Sequence, residues 1–348
     1  MKSEVHMLRN SRVSVDEISH SEIDPSMRFA DALFMVVIGA LICAASAAAV
    51  FSPSSVSTRM DTTAAATRIA FLGNSILYFN DVPRIFEALC GNKAVSDCCF
   101  RGGASLTSLL EKGNGMRNMF ATPNAERSDG SHDTGAPTVP TLLSEPWDFV
   151  VMNDFTQGPA RSESRAASIE TLVDDYAPLL ISSGAQPIIL QTHAYRAHTK
   201  GSDDLGDTSA FTSRLREGCN AYAAALGAAL PESVPPRVAP FGDACAAVKL
   251  EQPEIWQRLF HVDDFHLSPS GSYLLSLILY ITVFGEAPAR HRALPGDLTS
   301  LWHHARYMQP PDEPVQPIPS REIASYLLEL AERMMMQRGL CRKRVMIY

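Results

Sequence analysis

The chain has 348 residues, of which 46% are hydrophobic and 20% charged, with a formal net charge of −8. That balance is globular and leaves room for one large domain with additions; it excludes disordered and fibrous classes. It also argues against nucleic acid as the partner, because phosphate binding needs clustered Lys and Arg and the basic run here is only Arg342-Lys343-Arg344.

Residues 1–31 form a polar tail. Residues 32–51 then carry no charge, and 20 such residues at helical rise match a hydrocarbon core of roughly 30 Å. The expectation is a transmembrane signal anchor; the alternative is a signal peptide cut near Ala47-Ala48-Ala49, giving a secreted protein. Arg28 before the span and Arg59 after it leave the positive-inside count tied. A short tail and a long following domain favour a lumenal or extracellular position for that domain. Six cysteines lie beyond the span, an even count that permits disulfides but identifies none. Adjacent Cys98 and Cys99, on a strand, would face opposite sides of a sheet.

Residues 52–66 read as a linker of Ser, Thr and Ala. After it, short apolar runs recur at 68–72, 95–100, 147–152, 187–190 and 237–240, each ending in polar residues or glycine. Between them lie segments of helical spacing at 82–89, 169–181 and 211–230. Near-continuous apolar strands alternating with helices imply a parallel sheet covered on both faces. Ligands of such doubly wound domains bind at the carboxyl ends of the strands. Residues 114–140 are polar and rich in Gly, Pro, Asp and Ser, and read as an inserted loop beside that edge. Beyond the domain at 67–290, a proline-rich stretch at 308–318 leads to Ile323, Tyr326, Leu327, Leu330 and Met334 at helical spacing. This is an amphipathic helix within a C-terminal extension, 291–348.

Polar residues with chemical potential stand at three strand ends and before one late helix. The first strand ends in Gly73-Asn74-Ser75, the second leads to Arg101-Gly102-Gly103, and the third ends in Asn153-Asp154. Downstream, Asp263-Asp264-Phe265-His266 precedes an apolar helix over 273–284. Ester hydrolysis by serine needs a hydroxyl, a base, an orienting group for the base and donors for the oxyanion. Ser75 supplies the hydroxyl, His266 the base and Asp263 the orienting acid. The backbone N–H groups of Ser75 and Gly103 and the side-chain amide of Asn153 supply the oxyanion donors. Gly102 competes with Gly103, Gln157 with Asn153, Asp264 with Asp263, and His261 with His266. His193, at the end of the fourth run, reads as a structural histidine, and His303-His304 as surface. No metal and no organic cofactor is called for.

The order of these blocks resembles the SGNH (GDSL-like) hydrolases, over about residues 67–290. The resemblance implies a flavodoxin-like three-layer α/β/α fold and hydrolysis of an ester of a glycan, lipid or other small molecule. It assigns Ser75, Asp263 and His266 to the triad and Ser75, Gly103 and Asn153 to the oxyanion hole. The stretches around Gln191-Thr192-His193 and Asp264-Phe265-His266-Leu267-Ser268 are similar to a subgroup of unassigned substrate. Two departures stand out: the first block has Asn74 where the pattern commonly has Asp, and Val151 stands where a Gly commonly precedes the third-block Asn. An inactive SGNH-fold glycan- or lipid-binding protein and an acyltransferase are the alternatives. The oligomeric state is not legible.

Overall fold

The computed structural model describes residues 65–116, 135–197, 202–303, 305 and 316–342. The candidate anchor, the tail before it, most of the linker and positions 117–134 of the insertion lie outside the described residues. Among the described residues no helix is long and apolar enough to cross a membrane.

The five apolar runs become five strands: β1 (Thr67–Gly73), β2 (Ala94–Phe100), β3 (Phe149–Met152), β4 (Gln186–Leu190) and β5 (Arg237–Ala239). All pair in parallel, in the order β2-β1-β3-β4-β5. This is the flavodoxin-like order expected from the sequence. Strand alternation sends Ile69 and Phe71 into one hydrophobic layer and Ala70 and Leu72 into the other, so both faces must be covered. Cys98 and Cys99 follow the same rule and fall in opposite layers. No disulfide joins the six described cysteines, all of which are buried.

In chain order the helices are α1 (Ser75–Tyr78), α2 (Val82–Cys90), α3 (Leu106–Lys112), α4 (Val139–Leu143), α5 (Ser162–Thr171), α6 (Ala177–Ser183) and α7 (Thr208–Ala229). They continue with α8 (Phe241–Glu251), α9 (Pro253–Gln257), α10 (Pro269–Phe284), α11 (Arg290–Ala293), α12 (Thr299–Trp302) and α13 (Arg321–Gln337). Helices α2, α8, α10 and α13 cover one face of the sheet; α3 to α7 cover the other. A π-helical turn, Leu172–Tyr176, joins α5 to α6. Pro178, just beyond it, has no N–H to continue the regular ladder.

Helix α10 is apolar on every side because it lies between α2, α8 and α13, with all but Phe284 buried. Ser268 starts it by accepting the N–H of Gly271. Met335 of α13 is fully buried and Met334 and Met336 pack against the same core, so this methionine run lies on the domain. Several helices had not been anticipated as such, among them the short α9, α11 and α12. Helices α3 and α8 lie where loop or undivided sequence was expected, and Val139 and Pro140, placed in the insertion, open α4. The described ends of the insertion are tied to the sheet edge: the Ala136 N–H donates to the Cys98 carbonyl and the Gly115 N–H to that of Phe100, both at 2.8 Å.

The strand order reverses between β1 and β3, and the carboxyl ends of these parallel strands are joined by a buried polar node. Asn74 accepts the Ile76 N–H and so caps α1, while its amide donates to the carbonyls of Ala104 (2.9 Å) and Asp154 (3.0 Å). A carboxylate could make the cap but neither of the other two bonds, which is a physical reason for Asn at this position. The Asp154 carboxylate, fully enclosed, takes two backbone donors on Oδ1, from Leu106 and Phe155. It takes two hydroxyl donors on Oδ2, from Ser168 and Tyr222. Burial pushes its pKa up, and these four donors oppose the rise.

The two halves of that carboxylate are not equivalent. The N–H groups on Oδ1 cannot turn, whereas the hydroxyls on Oδ2 can rotate to accept. Asp154→Asn should therefore keep all four contacts and cost less than about 1.5 kcal/mol, whereas Asp154→Ala should cost about 3–5 kcal/mol. Urea unfolding of the two variants, followed by tryptophan fluorescence, measures the difference.

Candidate active site

Ser75 opens α1 directly beyond β1 and is half-buried. Among the described residues nothing accepts its backbone N–H and its hydroxyl makes no hydrogen bond. Gly73 is dictated by what lies beside it: a Cβ there would sit 2.8 Å from the Cβ of Asn153 and 3.0 Å from Leu77. The first glycine of the block thus admits the asparagine of the third.

Asn153 is buried at the end of β3. Its backbone N–H donates to Leu72 and its side-chain amide to the Asp154 carbonyl at 2.8 Å, while its Oδ1 is buried without a partner. Gln157, the rival amide, is occupied elsewhere: it contacts the Tyr195 hydroxyl at 3.4 Å and accepts from Arg161.

The second block is a turn in which the Ala104 N–H returns to the Arg101 carbonyl. Gly103 has φ +64°, a conformation that favours glycine, and a Cβ there would meet open space. Gly102 is constrained differently, by the Tyr78 hydroxyl 3.0 Å from where its Cβ would lie. Both glycines are exposed.

Asp263 and His266 come together as a preformed unit. Asp263 Oδ1 accepts the backbone N–H groups of His266 (2.9 Å) and Phe265 (3.2 Å), and its Oδ2 lies 2.6 Å from His266 Nδ1. A carboxylate only accepts, so Nδ1 carries the proton and Nε2 presents its lone pair. That Nε2 is buried without a hydrogen-bond partner. Burial would raise the Asp263 pKa, but the side chain and backbone of His266, with the Phe265 N–H, bring it down to about 2.

The rivals settle elsewhere. Asp264 takes φ +71° and pairs with Arg196, which also donates to the carbonyls of Gln257 and His261. His261 is buried, 3.6 Å from Asp263 and at right angles to the Phe79 ring.

Three contacts carry His266 toward the helix that Ser75 opens. Its ring stacks flat on Phe79 at 4.4 Å and 2°. Phe79 closes α1 by donating its N–H to the Ser75 carbonyl at 3.0 Å. The Asn80 amide donates to the Leu267 carbonyl (2.7 Å) and to Ser272 (2.9 Å), fixing the residue after His266. Asn80 and Arg196 were not singled out from the sequence, and only a polar residue directly after an apolar run hinted at Asn80. His193 is fully buried and contacts the Phe265 carbonyl at 2.7 Å. His303 is exposed at the end of α12, and His304 lies outside the described residues. Among the described residues no cluster of side chains could hold a metal ion.

The Asp263 carboxyl lies below its ordinary value of 3.8 in the folded chain. The stability it contributes is therefore fully present above about pH 5 and is lost as pH falls through about 2. Asp263→Asn should flatten this acid dependence, shrinking the pH 5 to pH 2 difference in unfolding free energy by about 1–2 kcal/mol after solvent screening. Urea midpoints of the two chains at both pH values give the comparison.

No protein-family profile matches the chain, and no curated protein does. Solved structures do. A DUF4886 family protein from Bacteroides uniformis matches with a TM-score of 0.52 and 16% identity, over 80% of this chain and 97% of that one. A provisionally assigned SGNH hydrolase from Slackia heliotrinireducens is 28% identical over 62% of this chain and 97% of its own, with a TM-score of 0.44. Phospholipase A1 from Streptomyces albidoflavus gives 14% identity over 60% and 95%, with a TM-score of 0.29. Strand order and the likeness to the Bacteroides uniformis protein agree on the fold, a three-layer α/β/α sandwich about a parallel sheet.

Proposed function

We propose that the protein is a serine ester hydrolase working through an acyl-enzyme, with Ser75 as nucleophile, His266 as base and Asp263 as its orienting acid. The observation that carries this reading is the Asp263–His266 unit. Its 2.6 Å bond fixes the proton on Nδ1 and leaves Nε2 as a buried acceptor without a partner, on a ring stacked against the helix that Ser75 opens.

Ser75 Oγ attacks the ester carbonyl as His266 Nε2 takes its proton; the carbonyl π pair moves onto oxygen. Collapse expels the alcohol, which leaves with the proton from His266. Water then enters, gives a proton to His266 and attacks the acyl group; the acid departs and Ser75 recovers its proton. The N–H groups of Ser75 and Gly103 and the second N–H of the Asn153 amide are the oxyanion donors in this reading. Asn74 supports it by fixing the Ala104 carbonyl beside Gly103 and the Asp154 carbonyl on which Asn153 rests. The Ser75–His266 hydrogen bond forms as substrate binds, a common order of events at such sites.

The resemblance stated for the sequence makes a carbohydrate or lipid ester the substrate class. Residues 32–51 are proposed as the signal anchor that holds the domain at the lumenal or outer face of a membrane.

Full-length protein in detergent, treated with a fluorophosphonate and weighed intact, should gain one adduct that is absent from Ser75→Ala. No adduct on folded wild type would overturn the enzyme reading in favour of a glycan- or lipid-binding protein. Asn153→Ala should lower kcat for p-nitrophenyl acetate about 100- to 1000-fold, and an unchanged kcat would remove Asn153 from the oxyanion hole. An added alcohol that outcompetes water for the acyl group would instead mark an acyltransferase.

A further inference from the structure

The segment that carries His266 is irregular. An isolated antiparallel bridge, Phe260 with Leu267, closes it at the base, and the His261 N–H donates to the His266 carbonyl across it at 2.8 Å. Within it Asp264 holds a left-handed backbone, which a residue with a Cβ adopts only when its surroundings impose it. Three residues around His266 are fastened from outside the segment. Arg196 holds Asp264, donating its own backbone N–H to the Asp264 carbonyl at 2.8 Å besides pairing with the carboxylate. Asn80 holds Leu267. Phe265, the residue before His266, is held by His193.

His193 is an unusual choice for a purely structural position. It is fully buried, its ring lying edge-on between Phe241 and Phe260 at 5.5 and 5.4 Å. A carbonyl can only accept, so Nε2 must be the protonated nitrogen, and the imidazole is neutral: burial lowers its pKa to about 4. Nδ1 is then a buried lone pair, and it has no partner. An apolar ring would fill the same box without stranding an acceptor, and that acceptor costs stability. What the imidazole provides in return is a single N–H aimed at one carbonyl, from a ring that two aromatic side chains and the end of β4 hold rigid. That carbonyl belongs to the peptide bond whose nitrogen is the His266 N–H, the group that Asp263 Oδ1 accepts.

We infer that His193 is a positioning residue for the reaction: through the Phe265 carbonyl it fixes the peptide plane of His266 and so the aim of Nε2 at Ser75. This rests on the proposed ester hydrolase reading of the site. The bond acts on a backbone carbonyl of the His266 segment, so it governs the rate of acylation and leaves substrate binding alone.

Two variants of the full chain in detergent test this, with p-nitrophenyl acetate turnover and the rate of fluorophosphonate labelling as readouts and circular dichroism as the check of folding. His193→Phe keeps the aromatic box and removes the donor. Its kcat and labelling rate should fall about 10- to 100-fold with KM unchanged, the scale expected of a small misplacement of a reacting group. His193→Gln places an amide N–H near the position of Nε2 and should recover most of that loss. Wild-type kcat in folded His193→Phe, or a loss that appears in KM alone, would overturn the inference. If His193→Phe does not fold, a folded His193→Gln decides alone: near wild-type turnover supports the donor role, and a loss equal to that of Asp263→Ala overturns it. Failure of the underlying reading looks different, because wild type itself would then show no labelling.

Discussion

The active edge of this protein depends on one buried carboxamide. Asn74 sits where the chain turns from β1 into α1, and its side chain is spent in three directions at once: to the first turn of that helix, to Ala104 and to Asp154. Each bond ends on a different strand's exit loop, so the loops that bear Ser75, Gly103 and Asn153 cannot shift independently. Asp154 extends the node outward, its carboxylate gathering α3 through Leu106, α5 through Ser168 and α7 through Tyr222. Buried polar networks of this kind are costly if any member lacks a partner and strongly specifying when all are satisfied. Here the satisfied donors and acceptors lie directly beneath the site.

The histidine side of the site is built by a different principle. Its segment has almost no regular structure, and its shape is imposed by side chains from elsewhere in the fold. Asp263 organises it locally, folding its own carboxylate onto the two following N–H groups. Arg196 and His193 beyond β4 and Asn80 after α1 then fix it to the body of the domain. A second buried acid, Asp243 on α8, ties Gln191 of the same β4 exit to Arg216 of α7 and to Arg338 at the end of α13. The C-terminal extension is thereby coupled by charge to the strand end from which the histidine segment is supported.

Much of the fold was legible because burial of a parallel sheet on both faces leaves a plain trace. The five strand positions, and the helices over 82–90, 208–229 and 269–284, follow from runs whose apolar pattern no loop needs to maintain. Helix α8 was harder to see because it is Ala-rich without a clear polar face. Helix α3 is short and begins in a turn of glycines, and α4 lies at the end of a polar stretch whose composition masks it. Asp263 was separable from its neighbour as the proposed partner of His266 only by spacing; in the structure Asp263 meets His266, while Asp264 takes a left-handed backbone and meets Arg196.

The sequence by itself determined the sheet, the order of the blocks along it and the identity of the residues at each strand end, because hydrophobic period and chain order are local properties. It also carried the uncharged span at 32–51, which lies outside the described residues. Tertiary structure alone decided which side chains support those residues. Asn80 meets Leu267, 187 positions away, and Asn74 meets Asp154 across 80. His193 and Arg196 meet the histidine segment across about 70 positions, at separations of 72 and 68. Hydrogen bonds between residues so far apart leave no periodic mark in the chain, since each partner is an isolated polar residue whose purpose appears only when the sheet brings the loops to one edge.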